Sequence, residues 1–307
     1  MERKIEIETP IGKYNVWTKC IGKNSKLKLL LLHGGPGGNH ELFECFENYL
    51  PQEGIEIYYY NQLGSYLSDQ PKDNSLWTIE RFVDEVEQVR KSLGLNKENF
   101  ILYGHSWGGI LAIEYALLYQ DNLKGLIISN MISSCLHYSK YVDNVLCKEI
   151  DKDILKTIKQ LEENNDYQNP MYMELLMPHF YNKFFCRLQP WPEVFNRAFT
   201  HLNNDIYYLL QGPSELSITG KLSTWNRTED LIHIKVPTLI IGAKYDTMDP
   251  EYIKSMANQM ENASYFICPN GSHCSMWDDQ QYYFSRLIQF IKNLDNQQQQ
   301  DVLSENK

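Results

Sequence analysis

The chain has 307 residues, 43% of them hydrophobic and 22% charged, and carries a formal net charge of −10. That length supports one large domain or a domain with an insertion, and the composition is that of a globular protein, neither fibrous nor disordered. A net negative surface repels phosphate backbones and anionic headgroups, which excludes nucleic acid and membrane surfaces as expected partners.

The first segment, "MERKIEIETPIGKYNVW", alternates charged and apolar residues. It lacks the apolar core and small-residue cleavage site of a secretory signal, and two alternating stretches before Cys20 read as an antiparallel hairpin at a sheet edge. The densest apolar run, "LKLLLLH", is far shorter than the roughly 20 residues that span a bilayer. Seven cysteines form no C-x-x-C pair and are odd in number, so reduced thiols in a cytoplasm are expected. Buried strands are predicted at Leu27 to His33, Ile55 to Asn61, Phe100 to Gly104, Leu123 to Ser129, Val236 to Gly242 and Ser264 to Cys268. Between them, Ile79, Phe82, Val83, Val86, Val89 and Leu93 fall on one face of a helix, as do Phe284, Leu287, Ile288, Ile291 and Leu294 near the end. Continuously apolar strands alternating with helices give a mainly parallel sheet covered on both faces.

From Met131 to Arg227 the strand signal gives way to helical periodicity rich in aromatics, Met, Asn and Glu. The expected division is therefore residues 1–130 as the first part of an α/β core, 131–227 as an inserted helical cap over the carboxyl ends of the strands, and 228–294 as the second part of the core. Residues 295–307, "DNQQQQDVLSENK", read as a disordered polar tail.

The stretch "FILYGHSWGGILAIEY" holds Gly104-His105-Ser106-Trp107-Gly108. This is a G-x-S-x-G sequence with a strand before it and a helix after it, the context of a nucleophile elbow. A serine hydroxyl is a poor nucleophile until a base takes its proton, and that base needs an acid to orient it. "LIIGAKYDTMDP" supplies Asp246 and Asp249 after one strand, and "YFICPNGSHCSMW" supplies His273 after the next. Asp246 is the better acid because it comes sooner after its strand, whereas Asp249 precedes Pro250 and reads as a helix cap. His105 competes as base but adjoins the nucleophile, where its geometry is poor. The glycines of "HGGPGGNHELF" let the main chain turn an N–H toward developing negative charge, and Trp107, the residue after the nucleophile, supplies the second N–H. That loop lacks the ending of a P-loop and the spacing of G-x-G-x-x-G.

Together "HGGPGG", "YNQLGSYLSDQP", "GHSWGG", "QGPSELSITGKLSTWN", "GAKYDTMDP" and "NGSHCSMW" resemble the proline iminopeptidase family of α/β-hydrolases from about residue 5 to 294. The resemblance implies an α/β-hydrolase fold with an inserted helical cap. It also implies a serine aminopeptidase that releases an N-terminal residue, preferentially proline, from short peptides or amino-acid amides with a free N-terminus, without metal or cofactor. It places the nucleophile at Ser106, the acid at Asp246, the base at His273 and the oxyanion N–H groups at Gly35 and Trp107. Glu215 of "GPSEL" takes the position that binds the substrate ammonium, and Tyr207 matches a cap tyrosine near the substrate. Tyr172, Phe184, Trp191 and Tyr208 are candidates to line a pocket for a proline ring, although such aromatics more often pack helices together. Two departures stand out: Thr247 where some members carry a second amine-binding glutamate, and Asn61-Gln62 where an Asp-Gln pair is usual. An amidase or small-molecule esterase with the same triad is the alternative, and a non-catalytic binding protein a more distant one.

Overall fold

The structure is a computed structural model that describes residues 1–295 in full and the backbone alone to Glu305, so the expected tail at 295–307, apart from Asp295, lies outside the fully described residues. Eight strands form one sheet: β1 (Glu2–Thr9), β2 (Gly12–Ile21), β3 (Leu27–Leu32), β4 (Ile55–Tyr60), β5 (Phe100–His105), β6 (Gly125–Ser129), β7 (Thr238–Ala243) and β8 (Ala263–Cys268), in the order β1-β2-β4-β3-β5-β6-β7-β8. The β1–β2 hairpin joins β4 antiparallel at one edge, as the alternating pattern predicts, and the remaining pairs are parallel. Every residue of β4, β5, β6 and β7 is buried, because helices cover both faces. Strand β6 begins at Gly125 where the apolar run starts at Leu123, since Gln120–Asn122 forms a 3₁₀ turn and Leu123 follows as its cap.

Helix α1 (Ile79–Leu93) buries the predicted Phe82, Val83, Val86 and Val89, each worth about 1.5–3 kcal/mol of apolar burial. Thr78 caps its start and Gly94, in the left-handed region, ends it. Helix α2 (Trp107–Tyr119) is buried on all sides from Trp107 to Ala116, which accounts for its unbroken apolar run. Its one carboxylate, Glu114, accepts from Trp225 Nε1 at 2.6 Å and Arg227 Nε at 2.7 Å.

Between β6 and β7 lie α3 (Cys135–Asn144), α4 (Lys152–Glu163), α5 (Pro170–Leu176), a π-helical stretch (Met177–Phe185), α6 (Glu193–Thr200) and α7 (Asn204–Leu210). The chain enters and leaves this insertion side by side: Arg227 N–H donates to Ser133 O at 2.7 Å and Cys135 N–H to Trp225 O at 2.9 Å. Helices α8 (Pro250–Gln259), α9 (Ser275–Asp278) and α10 (Gln280–Glu305) complete the core. No helix among the described residues is long and apolar enough to cross a membrane.

Register positions the chemistry. Leu32 pairs with Gly104, His105 with Ser129, Ser129 with Ile241 and Ala243 with Cys268, so β3, β5 and β6 end within a residue of one another, β7 and β8 run two residues further, and the loops emerge along the same edge.

Candidate active site

Loops after β3, β5 and β8 open onto a cavity of about 270 Å³ that is roofed by the helical insertion and lined by Gly35, Ser106, Glu215 and His273. Ser106 sits between β5 and α2 with φ +54° and ψ −125°, a conformation that costs an L-residue about 1–3 kcal/mol and must be imposed by its surroundings. Its N–H donates to Ser129 O at 3.0 Å and its carbonyl accepts from Gly109 N–H at 2.7 Å. The crossing leaves no room for side chains: a Cβ at Gly104 would lie 2.0 Å from Gly108 O, and one at Gly108 would lie 2.1 Å from Leu32 O.

Asp246 and His273 are both fully buried. His273 Nδ1 is 2.8 Å from Asp246 Oδ1, which also accepts from Met248 N–H at 3.1 Å, while Asn130 Nδ2 donates to Oδ2 at 2.6 Å. The carboxylate therefore holds the proton on Nδ1 and leaves Nε2 unprotonated in the neutral ring. Burial pulls the His273 pKa down, but the charge and hydrogen bond of Asp246, with Glu215 and Asp278 farther off, outweigh it and leave the pKa above its ordinary value of 6.5. His273 Nε2 is buried and has no hydrogen-bond partner, and Ser106 lines the same cavity. No hydrogen bond joins Ser106 to His273 Nε2 among the described residues; bonds between catalytic groups are commonly long in resting enzymes and tighten around substrate. The His273 loop is clamped by the π-helical stretch: Phe184 O accepts from His273 N–H at 2.9 Å and Phe185 O from Cys274 N–H at 2.8 Å. His105, the competing base, is buried with its ring 5.0 Å from that of His273. Burial first, and then the His273 charge, hold its pKa well below the usual value. Among the described residues no carboxylate orients it, and its Nδ1 has no partner, so it stays a weak base. Asp249 caps α8, accepting from Glu251 N–H at 2.9 Å.

The two residues expected to offer main-chain N–H groups are Trp107, which follows Ser106 in the chain, and Gly35, which lines the same cavity. Trp107 is the first residue of α2, where the N–H has no intrahelical acceptor and the helix dipole is positive. Gly35 has φ +115°, and a Cβ there would lie 2.5 Å from Gly38 N. Gln62 braces this corner: its Oε1 accepts from Trp107 Nε1 at 2.8 Å, and its own N–H donates to His33 Nε2 at 3.1 Å. Burial lowers the His33 pKa to about 4, which keeps Nε2 an acceptor. Asn61, the departure beside it, lies outside the cavity, where its Oδ1 accepts from His40 N–H and meets His40 Nδ1, both at 3.0 Å.

Glu215 is 6% exposed and lines the cavity. Tyr207 Oη donates to its Oε1 at 2.7 Å and Tyr138 Oη to its Oε2 at 2.8 Å. Burial, followed by the Glu215 charge, pushes both phenols well above their usual pKa, so they remain donors. Among the described residues Glu215 has no ion-pair partner. Thr247 is fully buried behind this pocket, with Oγ1 at 3.0 Å from His273 Nδ1 and 3.4 Å from Asp246 Oδ1.

Of the four candidate pocket aromatics only Tyr208 lines the cavity, where Tyr181, Phe185, Phe199 and Met173 join it. Tyr172 instead donates to Glu162 at 2.8 Å, and Trp191 packs on Phe185 and Phe195. Tyr138, Tyr181 and Asn130 carried no sequence signal of their own.

A family model described as alpha/beta hydrolase fold matches residues 28–280. The chain is 54% identical over 293 residues to a protein named proline iminopeptidase from Flavobacterium johnsoniae, covering 95% of this chain and 99% of that one. It is 51% identical to one of the same name from Elizabethkingia meningoseptica, covering 95% and 98%. Among solved structures it superposes on VinJ with a TM-score of 0.88 at 26% identity, covering 95% and 99%. It also superposes on a proline iminopeptidase from Mycobacterium smegmatis with a TM-score of 0.84 at 24% identity, covering 96% and 99%.

Proposed function

This chain belongs to the proline iminopeptidase family of α/β-hydrolases, and from that premise we propose how it acts: a serine aminopeptidase, it releases an N-terminal residue, preferentially proline, from short peptides or amino-acid amides through an acyl-enzyme. The observation that carries the aminopeptidase reading is Glu215, a buried carboxylate with no cation of its own among the described residues, held by two tyrosines in the same cavity as Ser106. Burying a charge without a counter-charge is costly, and a substrate ammonium supplies that counter-charge through a charge-assisted hydrogen bond.

Ser106 attacks the carbonyl of the first residue while His273 Nε2 accepts its proton. The oxyanion forms against the N–H groups of Gly35 and Trp107. His273 then protonates the leaving amine, and water releases the acyl group by the reverse route. Residues 131–227 act as the cap that shields this chemistry from bulk water. Seven unpaired thiols suit a reducing compartment such as the cytoplasm.

Two outcomes follow from this geometry. Glu215→Gln keeps the shape but removes the charge, and it lowers kcat/KM for prolyl naphthylamide about 10²- to 10³-fold. N-acetylated substrates are inert with either protein. Turnover of blocked substrates alone, across a panel of amino-acyl naphthylamides, returns the site to the esterase reading. The pH profile supplies the second outcome. Protonated His273 cannot act as base, so the rate falls as pH drops through its pKa. Because that pKa is raised, the acid limb of kcat/KM lies above the pH of about 6.5 at which an ordinary histidine titrates. A rate flat from pH 5 to 8 contradicts the role.

A further inference from the structure

Asn130 follows β6 in the left-handed region, with φ +51°, and is fully buried. Its N–H donates to Ile241 O at 2.8 Å, which extends the β6–β7 ladder one residue past the sheet and brings the side chain beneath the loop that carries Asp246. The carboxamide is engaged at both ends. Nδ2 donates to Asp246 Oδ2 at 2.6 Å and to Ser272 O, the carbonyl just before His273, at 3.3 Å. Oδ1 accepts from Ser129 Oγ at 2.8 Å and Ser275 Oγ at 3.1 Å. Behind Ser129 the chain of hydroxyls continues to Tyr283 Oη at 2.8 Å and from there to Tyr103 Oη at 2.6 Å. Burial raises both phenols, so they stay protonated and the hydroxyls are free to donate toward Oδ1. The amide has one admissible orientation: turned over, its oxygen would face a carboxylate and a carbonyl, neither of which can donate. Asn130 Nδ2 is also the one hydrogen-bond donor to Asp246 Oδ2 among the described residues.

We propose that Asn130 is a positioning residue of the hydrolytic site, whose carboxamide pins the outer oxygen of Asp246 so that the inner oxygen stays on His273 Nδ1, and ties the Asp246 loop to the His273 loop through Ser272. The role rests on the reading of Ser106, Asp246 and His273 as the triad. Its physical basis is that a carboxylate anchored through one oxygen alone can rotate, and a misaligned base loses rate without losing substrate affinity. The backbone conformation separates this role from a structural one, because glycine adopts positive φ at no cost while lacking the amide.

The experiment is steady-state kinetics of Asn130→Gly across pH, with thermal unfolding to verify the fold. The expected result is a fall in kcat of about 10- to 100-fold with KM changed less than about threefold. The acid limb also moves to lower pH. The sign follows from the groups facing His273, namely the Asp246, Glu215 and Asp278 carboxylates and the His105 ring: only the Asp246 contribution weakens, so the imidazolium loses support. The low-field proton resonance of His273 Nδ1–H moves upfield in step. Unchanged kcat, or a lower kcat with an unmoved acid limb, overturns the proposal. Should Asn130→Gly fail to fold, the Ser129→Ala/Ser275→Ala pair removes the donors to Oδ1 and leaves the carboxamide held through Nδ2 alone, so that it can swing on its Asp246 and Ser272 contacts although it cannot turn over. A fall in kcat of about 3- to 10-fold is expected there, and a wild-type rate overturns the proposal. Ser106→Ala measured alongside separates the two readings, since full activity in that variant removes the triad itself and not only the part assigned to Asn130.

Discussion

Replacing Ser106 with alanine lowers kcat by about 10⁶-fold while leaving the fold intact. The magnitude is that of removing a nucleophile from a triad, where what survives comes from oxyanion stabilisation and substrate binding alone. The fold is expected to survive because the backbone twist at position 106 is imposed by its neighbours, through Ser106 N–H to Ser129 O at 3.0 Å and Gly109 N–H to Ser106 O at 2.7 Å, and alanine keeps the same Cβ. Loss of Oγ leaves no partner behind, since His273 Nε2 is already without one. The unfolding midpoint therefore stays near that of the unaltered protein, and the loss is read in kcat with the bound substrate still held by Glu215. Retention of more than about a thousandth of the activity contradicts the assignment.

Asp246→Asn has the second largest effect, about 10⁴-fold in kcat, and the contacts explain why so small a change is so damaging. One carboxylate oxygen accepts from His273 Nδ1 at 2.8 Å and Met248 N–H at 3.1 Å, and the other from Asn130 Nδ2 at 2.6 Å. Asparagine offers one acceptor and one donor. With its oxygen toward His273, its NH₂ meets the NH₂ of Asn130, donor against donor. Turned over, its NH₂ faces His273 Nδ1, which must then accept, moving the ring proton to Nε2 where the serine needs a base. Neither arrangement serves catalysis. The charge that raises the His273 pKa is also gone, so the acid limb of the residual activity lies at lower pH than in the unaltered protein. Comparing the two pH–rate profiles measures both effects.

Much of this was legible in the sequence because the relevant signals are local. The elbow is five consecutive residues, and its glycines are dictated by contacts within the same turn and with β3. The strands show as apolar runs because both sheet faces are covered. Ser106, Asp246 and His273 each follow a strand of the parallel sheet, so their order could be read from the strands that precede them. The surroundings of Glu215 are another matter. A lone glutamate in a helical segment reads as a solvated charge. Its burial depends on Tyr138 from α3, Tyr181 from the π-helical stretch and Tyr207 from α7, three elements whose convergence no spacing reveals. For the same reason spacing does not separate the aromatics that line the pocket from the larger number that pack helices together. The π-helical turn over Met177–Phe185 shifts the side-chain phase, which brings Tyr181 and Phe185 to the cavity while Tyr172 and Trp191 pack elsewhere. Asn130 was invisible because an asparagine after a strand is the commonest kind of turn residue. Only the hydrogen bonds on both sides of its amide distinguish it.

Labelling with a serine-reactive phosphonate and weighing the intact protein shows whether Ser106 is the nucleophile that His273 activates. A single adduct on the unaltered protein, absent from Ser106→Ala and formed more slowly as pH falls through the His273 pKa, is the predicted result. An equal adduct on Ser106→Ala, or none on the unaltered protein, contradicts it.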